Sequence, residues 1–280
     1  VKNVVELKEK PDVVETSGIV PTPDYIVHEI IYRTIAPLIE NKTPKQVAAL
    51  RFADICCGSG TFLVALFDYL INWHLDYYLK NGCSENCYRG SDNEFHLKLE
   101  EKHRILLNNI FGVDIDPNAV EVTSFNLYVK LLDGESAESI IEYTIKNKSK
   151  ALPNLNRNVK CGNSLIDSQF FKYRKEAALN SDEFEFINPL DWETEFNAIF
   201  SMGGFDAIIG NPPYIRIQNM VKFSPHEVEY YQSEIMPYHT SHKDSFDKYY
   251  LFIERSLSLL NKQGRLGYII PHKFAIVKSG

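Results

Sequence analysis

A short apolar run, Phe52 to Cys56, carries an acid at Asp54 and passes through a glycine-rich turn straight into a helical pattern, RFADICCGSGTFLVALFDYL. An antiparallel partner would need only a hairpin, so a strand followed by a whole helix points to parallel pairing. The pattern recurs. Ile110 to Ile115 is a second apolar run, followed by a helix from Pro117 to about Leu132. Val159 to Cys161 and Phe205 to Ile209 read as third and fourth strands. A helix from Asp247 to Leu260, stopped at Gln263-Gly264, leads to a fifth strand, Leu266 to Ile270. This alternation predicts an α/β fold, a mostly parallel sheet with helices on both faces. Ligands of such sheets sit at the carboxyl ends of the strands.

The remaining segments fill in around that frame. Thr22-Pro23-Asp24 opens an earlier helix, with Thr22 suited to cap it and Pro23 to its first turn. The first helix after the glycine turn runs from Thr61 to about Tyr78, and Asn81 to Lys102 is polar enough to read as an exposed insertion. Ser136 to Lys146 is amphipathic, and Arg216 to Ser245 reads as a polar loop. Residues 1–16 form a charged lead-in, and residues 17–280 are expected to make one domain.

Bulk properties narrow the class. Hydrophobic residues at 44% and charged residues at 24% suit an ordinary globular protein. No apolar run reaches the roughly 18 residues of a membrane span, and VKNVVELKEKPDVVE has no signal-peptide core. Five cysteines, including the neighbours Cys56 and Cys57, suggest reduced thiols and a cytoplasmic protein. Cys83 and Cys87 have no second Cys or His pair at a matching spacing, so no metal site is expected. A net charge of −7 opposes a free-standing nucleic-acid binder.

Four segments carry chemistry, and each follows a strand. In DICCGSGTFL, Gly58 and Gly60 permit close backbone approach to a ligand. A bare Gly-x-Gly turn can equally just relieve a tight connection. Asp54, however, suits an ammonium group better than a pyrophosphate, which favours an amino-acid-bearing nucleoside over a dinucleotide. In FGVDIDP, Asp114 can accept ribose hydroxyls. It stands 60 positions beyond Asp54, and the polar insertion accounts for the excess over the ~20 of a dinucleotide fold. Asp116, before Pro117, reads as a plain helix cap. In CGNSL, Asn163 either pairs with the edge of an adenine ring or merely forms a turn. The fourth segment is FDAIIGNPPYI. Its two prolines hold an extended backbone, so that the Asn211 amide and the Pro212 carbonyl can converge on an exocyclic amine, while Tyr214 offers a face for stacking. Reading it as a simple loop terminator leaves all three features to coincidence.

With these segments in order, the chain resembles the Rossmann-like class I amino-methyltransferases, most closely the adenine-N6 branch of type IIG restriction–modification enzymes and related phage-exclusion methylases. GIVPTP at Gly18 to Pro23, CGSGTFL, FGVDIDPNAV, GNSLI, GNPPYI and DKYY leading to GYIIPHKF carry the likeness, over about residues 17–276. The resemblance implies S-adenosylmethionine as cofactor, with Thr22 and Asp54 at its methionine portion. It also implies Gly58 and Gly60 beneath the cofactor, Asp114 on its ribose, Ile115 against its adenine and an acceptor oxygen of Asn163 on the adenine amine.

Asn211, Pro212 and Tyr214 would then hold an adenine flipped out of double-stranded DNA for methyl transfer to N6. No Pro-Cys pair is present for cytosine-C5 chemistry. The family also carries a final hairpin and a target-recognition domain that are not seen before Gly280. The basic DNA surface, a second base-stacking aromatic and any nuclease are therefore expected in a domain or subunit outside this sequence. Two alternatives remain at this level: a release-factor glutamine methyltransferase, whose relatives also use NPPY, and an inactive cofactor-binding scaffold in a defence complex.

Overall fold

Apolar runs too short to cross a membrane yet unbroken by polar alternation belong to strands covered on both faces, and three such runs, Phe52–Asp54, Ile110–Asp114 and Phe205–Gly210, make the centre of a five-stranded sheet. A computed structural model describes residues 22–82, 85–90, 93–148, 150–174, 187–233, 238–240 and 246–272. The lead-in, the Gly18 to Pro21 part of the first motif, Cys83 and the HKFAIV end beyond His272 lie outside the described residues.

The chain opens with helix α1 (Asp24–Ile39), then β1 (Phe52–Asp54) and α2 (Thr61–Asn81). An antiparallel hairpin of β2 (Cys87–Arg89) and β3 (Phe95–Leu97) precedes α3 (Leu99–Asn109), β4 (Ile110–Asp114), α4 (Pro117–Leu132), α5 (Ala137–Asn147) and β5 (Val159–Cys161). Next come β6 (Phe205–Gly210), α6 (Ile217–Phe223), α7 (Pro225–Tyr231), α8 (Lys248–Leu259) and β7 (Leu260–Tyr268). The main sheet has the order β5-β4-β1-β6-β7, and every pairing is parallel. Strand β1 lies at the centre, with Phe52 opposite Ile110 on one side and Ala207 on the other. The chain leaves β1 for β4 on one side and later returns to β6 on the other, which opens a crevice at the carboxyl end of β1.

Alternate residues of the strands feed two separate cores, as the period of two requires. Ala53, Phe111, Val113, Phe205 and Ile208 join the cluster around Trp192, Tyr230 and Tyr249. Phe52, Ile110, Ala207 and Ile209 join the cluster around Ile31, Leu63, Leu66, Leu106 and Leu127.

Five expectations need correction. Thr22 does not cap α1: the helix begins at Asp24, the cap position is Pro23, and no side chain caps it. The polar stretch Asn81 to Lys102 contains a hairpin and the start of α3, because Lys102 is buried, with its Nζ 2.7 Å from Glu135 Oε1 and 2.8 Å from the Asp133 carbonyl. Its charge looked solvated only because its partner lies far along the chain. The expected loop from Arg216 contains α6 and α7, which bury Met220, Tyr230 and Tyr231. Strand β7 begins at Leu260 rather than Leu266, and a register shift against β6 takes up the Gln263-Gly264 turn. The cysteines divide as well. Cys56, Cys57 and Cys161 are outside any disulfide, whereas Cys87, buried at the start of the hairpin, is disulfide-bonded. The expectation of reduced thiols therefore fails at Cys87.

Candidate active site

Gly60 ends the turn after β1 at φ 85°, a left-handed conformation that favours glycine, and a Cβ there would meet Thr123 at 3.0 Å. Thr123, fully buried on α4, donates through Oγ1 to the Gly58 carbonyl at 2.7 Å, and Asn126 Nδ2 donates to the Ser59 carbonyl at 2.9 Å. Asp114, at the tip of β4, accepts from Gly58 N–H at 2.7 Å and from Asp116 N–H at 3.0 Å. One carboxylate thus joins two strand-to-helix turns. Asp116 itself accepts from Asn118 N–H at 3.2 Å and caps α4, as read from the sequence. Ile115 beside it is 37% exposed, which leaves an aliphatic face open at the strand end.

Asp54 is buried, and its Oδ1 accepts from Cys56 N–H at 3.0 Å. Burial raises its carboxyl to about 7; the Cys56 N–H opposes the shift and the nearby Asp114 charge adds to it. The Cys56 thiol also donates to Oδ1, at 3.6 Å, while Oδ2 has no hydrogen bond among the described residues and is a ready site for an ammonium group. Gly210, the last residue of β6, faces it directly, and a Cβ at that position would lie 2.6 Å from Asp54 Oδ1.

Asn163 is also buried, and its Oδ1 accepts from Leu165 N–H at 3.0 Å. Its Nδ2 has no partner among the described residues. The amide therefore offers a donor, where the resemblance implied an acceptor. Ser164 braces the same turn by donating to the Ile55 carbonyl at 2.5 Å.

The Asn211–Tyr214 segment leaves β6 across the crevice. Asn211 Nδ2 donates to Thr22 Oγ1 at 3.1 Å, so Thr22 meets the Asn-Pro-Pro-Tyr segment instead of its own helix. Tyr214 O–H donates to Asn211 Oδ1 at 2.5 Å and to the Ile269 carbonyl at 2.7 Å. With two acceptors available, the hydroxyl can release Asn211 and keep Ile269. Burial and the neighbouring Cys56 push Tyr214 up to about 12, so it remains a donor at neutral pH. Its ring is 46% exposed and stands edge-on to Tyr249, with centroids 5.9 Å apart. No hydrogen bond to the Pro212 carbonyl occurs among the described residues.

A second network holds this segment from behind. Ile217 N–H donates to the Phe246 carbonyl at 3.0 Å, and Lys248 N–H donates to the Ile215 carbonyl at 2.8 Å. Beneath them, buried Glu227 accepts from Lys248 Nζ at 3.0 Å, from Ser224 Oγ at 3.0 Å and from the Tyr231 hydroxyl. Burial opposes ionisation of Glu227, but the Lys248 charge and these three bonds hold its carboxyl below the usual range. Thr123, Asn126, Ser164 and the Glu227–Lys248 pair were not singled out from the sequence. Their only local sign is a polar residue on an otherwise apolar helix or turn. Among the described residues no group of three His, Cys, Asp or Glu side chains is placed to hold a metal, and no helix is long and apolar enough to cross a membrane.

A parallel sheet of this order, with four side-chain-bearing turns at one edge, is the α/β architecture of restriction–modification enzymes. The ATP-dependent Type ISP restriction-modification enzyme LlaBIII, solved bound to DNA, matches over 94% of this chain and 15% of its own, with a TM-score of 0.54 and 16% identity. The chain belongs to the Eco57I restriction-modification methylase family, whose model matches residues 108–280. It is 38% identical over 262 residues to the type II restriction enzyme and methyltransferase RM.Eco57I of Escherichia coli, covering 94% of this chain and 24% of that protein. It is 24% identical over 209 residues to the adenine-specific methyltransferase PglX of Streptomyces coelicolor, covering 73% of this chain and 15% of that one. The chain thus spans at most about a quarter of the length of these two curated relatives.

Proposed function

We propose that this domain transfers a methyl group from S-adenosylmethionine to the N6 amine of an adenine flipped out of double-stranded DNA, within a restriction–modification or phage-defence enzyme. The observation that carries the reading is the pairing across one crevice of two different surfaces. One is a buried, partner-poor carboxylate at Asp54. The other is an acceptor-rich segment, Asn211–Tyr214, with an exposed aromatic face.

The residues fit the cofactor. Asp54 would take its ammonium group, with Thr22 near the same end. Gly58 and Gly60 would let it approach the turn, Asp114 would take ribose hydroxyls, and Ile115 would pack on its adenine. The unpartnered Asn163 Nδ2 suits a ring nitrogen of that adenine better than its amine. When bound, the cofactor supplies an electrophilic methyl on a sulfonium.

The target adenine would stack on Tyr214, and its amine would donate to Asn211 Oδ1 and the Pro212 carbonyl. Those acceptors would stabilise the positive charge that develops on N6 as its lone pair bonds to the transferred methyl carbon, the carbon–sulfur bond electrons staying with sulfur. A proton then leaves N6 for solvent. Positioning supplies the rest, since no covalent enzyme intermediate is required. Sequence choice and any cleavage belong, in this reading, to a target-recognition or nuclease part elsewhere in the protein or in a partner subunit. Cytoplasmic residence is part of the same reading; the unpaired Cys56 and Cys57 agree with it and the Cys87 disulfide does not.

The test gives the full-length protein methyl-labelled cofactor and either unmodified DNA or a peptide-release factor, followed by digestion. N6-methyladenine is the expected product. Methylated glutamine without it, or no transfer to either substrate, overturns the proposal.

The raised carboxyl of Asp54 makes a further prediction. A cationic amine must drive off its proton, so cofactor affinity should rise with pH through about 7, until the amine itself begins to lose its proton at higher pH. Below that point it should fall by about tenfold per pH unit. Calorimetric titrations at several pH values should show this slope, and Asp54→Asn should flatten it. A slope retained in Asp54→Asn would assign the proton to another group.

A further inference from the structure

Arg216 is extended (φ −71°, ψ 139°), and exposure alternates along Tyr214 to Ile217: Tyr214 is 46% exposed, Ile215 9%, Arg216 exposed again and Ile217 3%. Side chains two apart on an extended backbone leave on the same face, about 7 Å from one another. The base-stacking ring and the guanidinium therefore project together from one rim of the crevice. We propose that Arg216 grips the DNA backbone phosphate beside the extruded adenine, so that Tyr214 and Arg216 hold one nucleotide at two points. The inference rests on the adenine reading above and deepens it.

Three observations support it. First, the backbone at Arg216 is held. It pairs with Asp247, the flanking residues bond to Phe246 and Lys248, and Ile215 and Ile217 are sunk in the core. A phosphate contact made from this position needs little further ordering.

Second, the guanidinium is uncommitted. Arg33, Arg51, Arg89, Arg104 and Arg255 all donate to protein acceptors. The Arg216 side chain has no hydrogen bond or ion pair among the described residues, Asp247 included. Arg157 and Arg265 are similarly unengaged, but Arg157 precedes β5 and Arg265 lies within β7, neither at the carboxyl end where the crevice opens.

Third, a chain of net charge −7 cannot attract DNA by a diffuse basic surface. Single, well-placed cations must carry what phosphate contact this domain makes. A planar two-pronged donor suits a phosphate better than a point charge does.

The test compares full-length wild type, Arg216→Ala and Arg216→Lys on a short labelled DNA duplex carrying one mispaired adenine, with affinity read against salt. Arg216→Ala should weaken binding by about tenfold at low salt and reduce the slope of log affinity on log salt by about 1. Arg216→Lys should restore the slope but only part of the affinity. Cofactor affinity should stay at the wild-type value in both. On a duplex whose phosphates beside that adenine are neutral methylphosphonates, wild type should weaken to match Arg216→Ala, and Arg216→Ala should lose nothing further. An unchanged slope in Arg216→Ala, or equal losses by both proteins on the neutral duplex, overturns the phosphate assignment. If wild type neither binds nor methylates DNA, the adenine reading itself falls and this inference with it. If it methylates DNA and only the Arg216 comparisons fail, the adenine reading stands alone.

Discussion

Replacing Asn211 with alanine is expected to slow methyl transfer by about a hundred- to a thousandfold, the usual loss when one preorganised partner of a developing charge is removed. Cofactor affinity should change little, because among the described residues Asn211 reaches the other half of the crevice through the single bond to Thr22. Tyr214 retains the Ile269 carbonyl, so the stacking face keeps an anchor when the Asn211 oxygen is lost. Single-turnover rates measured beside cofactor titrations separate the two roles. Equal losses in both would make Asn211 a structural support of the crevice, and an unchanged rate would remove it from the chemistry.

The second large effect is expected at Gly210. An alanine Cβ there would sit 2.6 Å from Asp54 Oδ1 and 3.0 Å from its Cγ. The backbone cannot easily retreat, since Gly210 pairs with Tyr268 and its carbonyl accepts from Ile269 N–H. Asp54 must move instead, and it is buried. Gly210→Ala should weaken cofactor binding by more than about tenfold and destabilise the fold by about 1–3 kcal/mol, as overpacking does. In an Asp54→Ala background the same glycine change should cost little further affinity, because the two residues act through one contact. Additive losses would show that Gly210 works independently of Asp54. A cooperative melt of each variant keeps loss of binding distinct from loss of fold.

How much of this was legible beforehand depends on how local each feature is. The first four strands, the helices that follow β1 and β4 and the cap at Asp116 follow from residues adjacent in sequence, and the structure places them within a few residues of expectation, whereas β7 begins six residues early. The acid at the end of β1, the glycine turn and the Asn-Pro-Pro-Tyr segment were readable for the same reason: each needs a particular backbone shape over a few consecutive residues. Contacts between distant segments were not readable. Lys102 looked like surface until Glu135 supplied its partner, and α6 and α7 looked like loop because Tyr230 packs on the distant Phe170 and Tyr173, Tyr231 on Tyr238, and Glu227 on Lys248. Thr22 was read as a cap because capping is the commonest local use of such a residue; its bond to Asn211 spans 189 positions. Asn163 shows the same limit at atomic scale. The residue stands out in the sequence, but which end of its amide remains available depends on Leu165 N–H, a bond that only the folded turn reveals.

That bond between Thr22 and Asn211 also bears on when the protein becomes competent. During synthesis Thr22, Asp54 and the glycine turn emerge before Asn211, yet β1 has no neighbour on its β6 side until the chain has passed Gly210. At about 5–20 residues per second, roughly ten to forty seconds separate the making of Thr22 from that of Asn211. For that interval the nascent chain holds one wall of a crevice whose opposite wall does not yet exist. A product released by a stalled ribosome before β6 would be catalytically silent, whatever cofactor its glycine turn could reach.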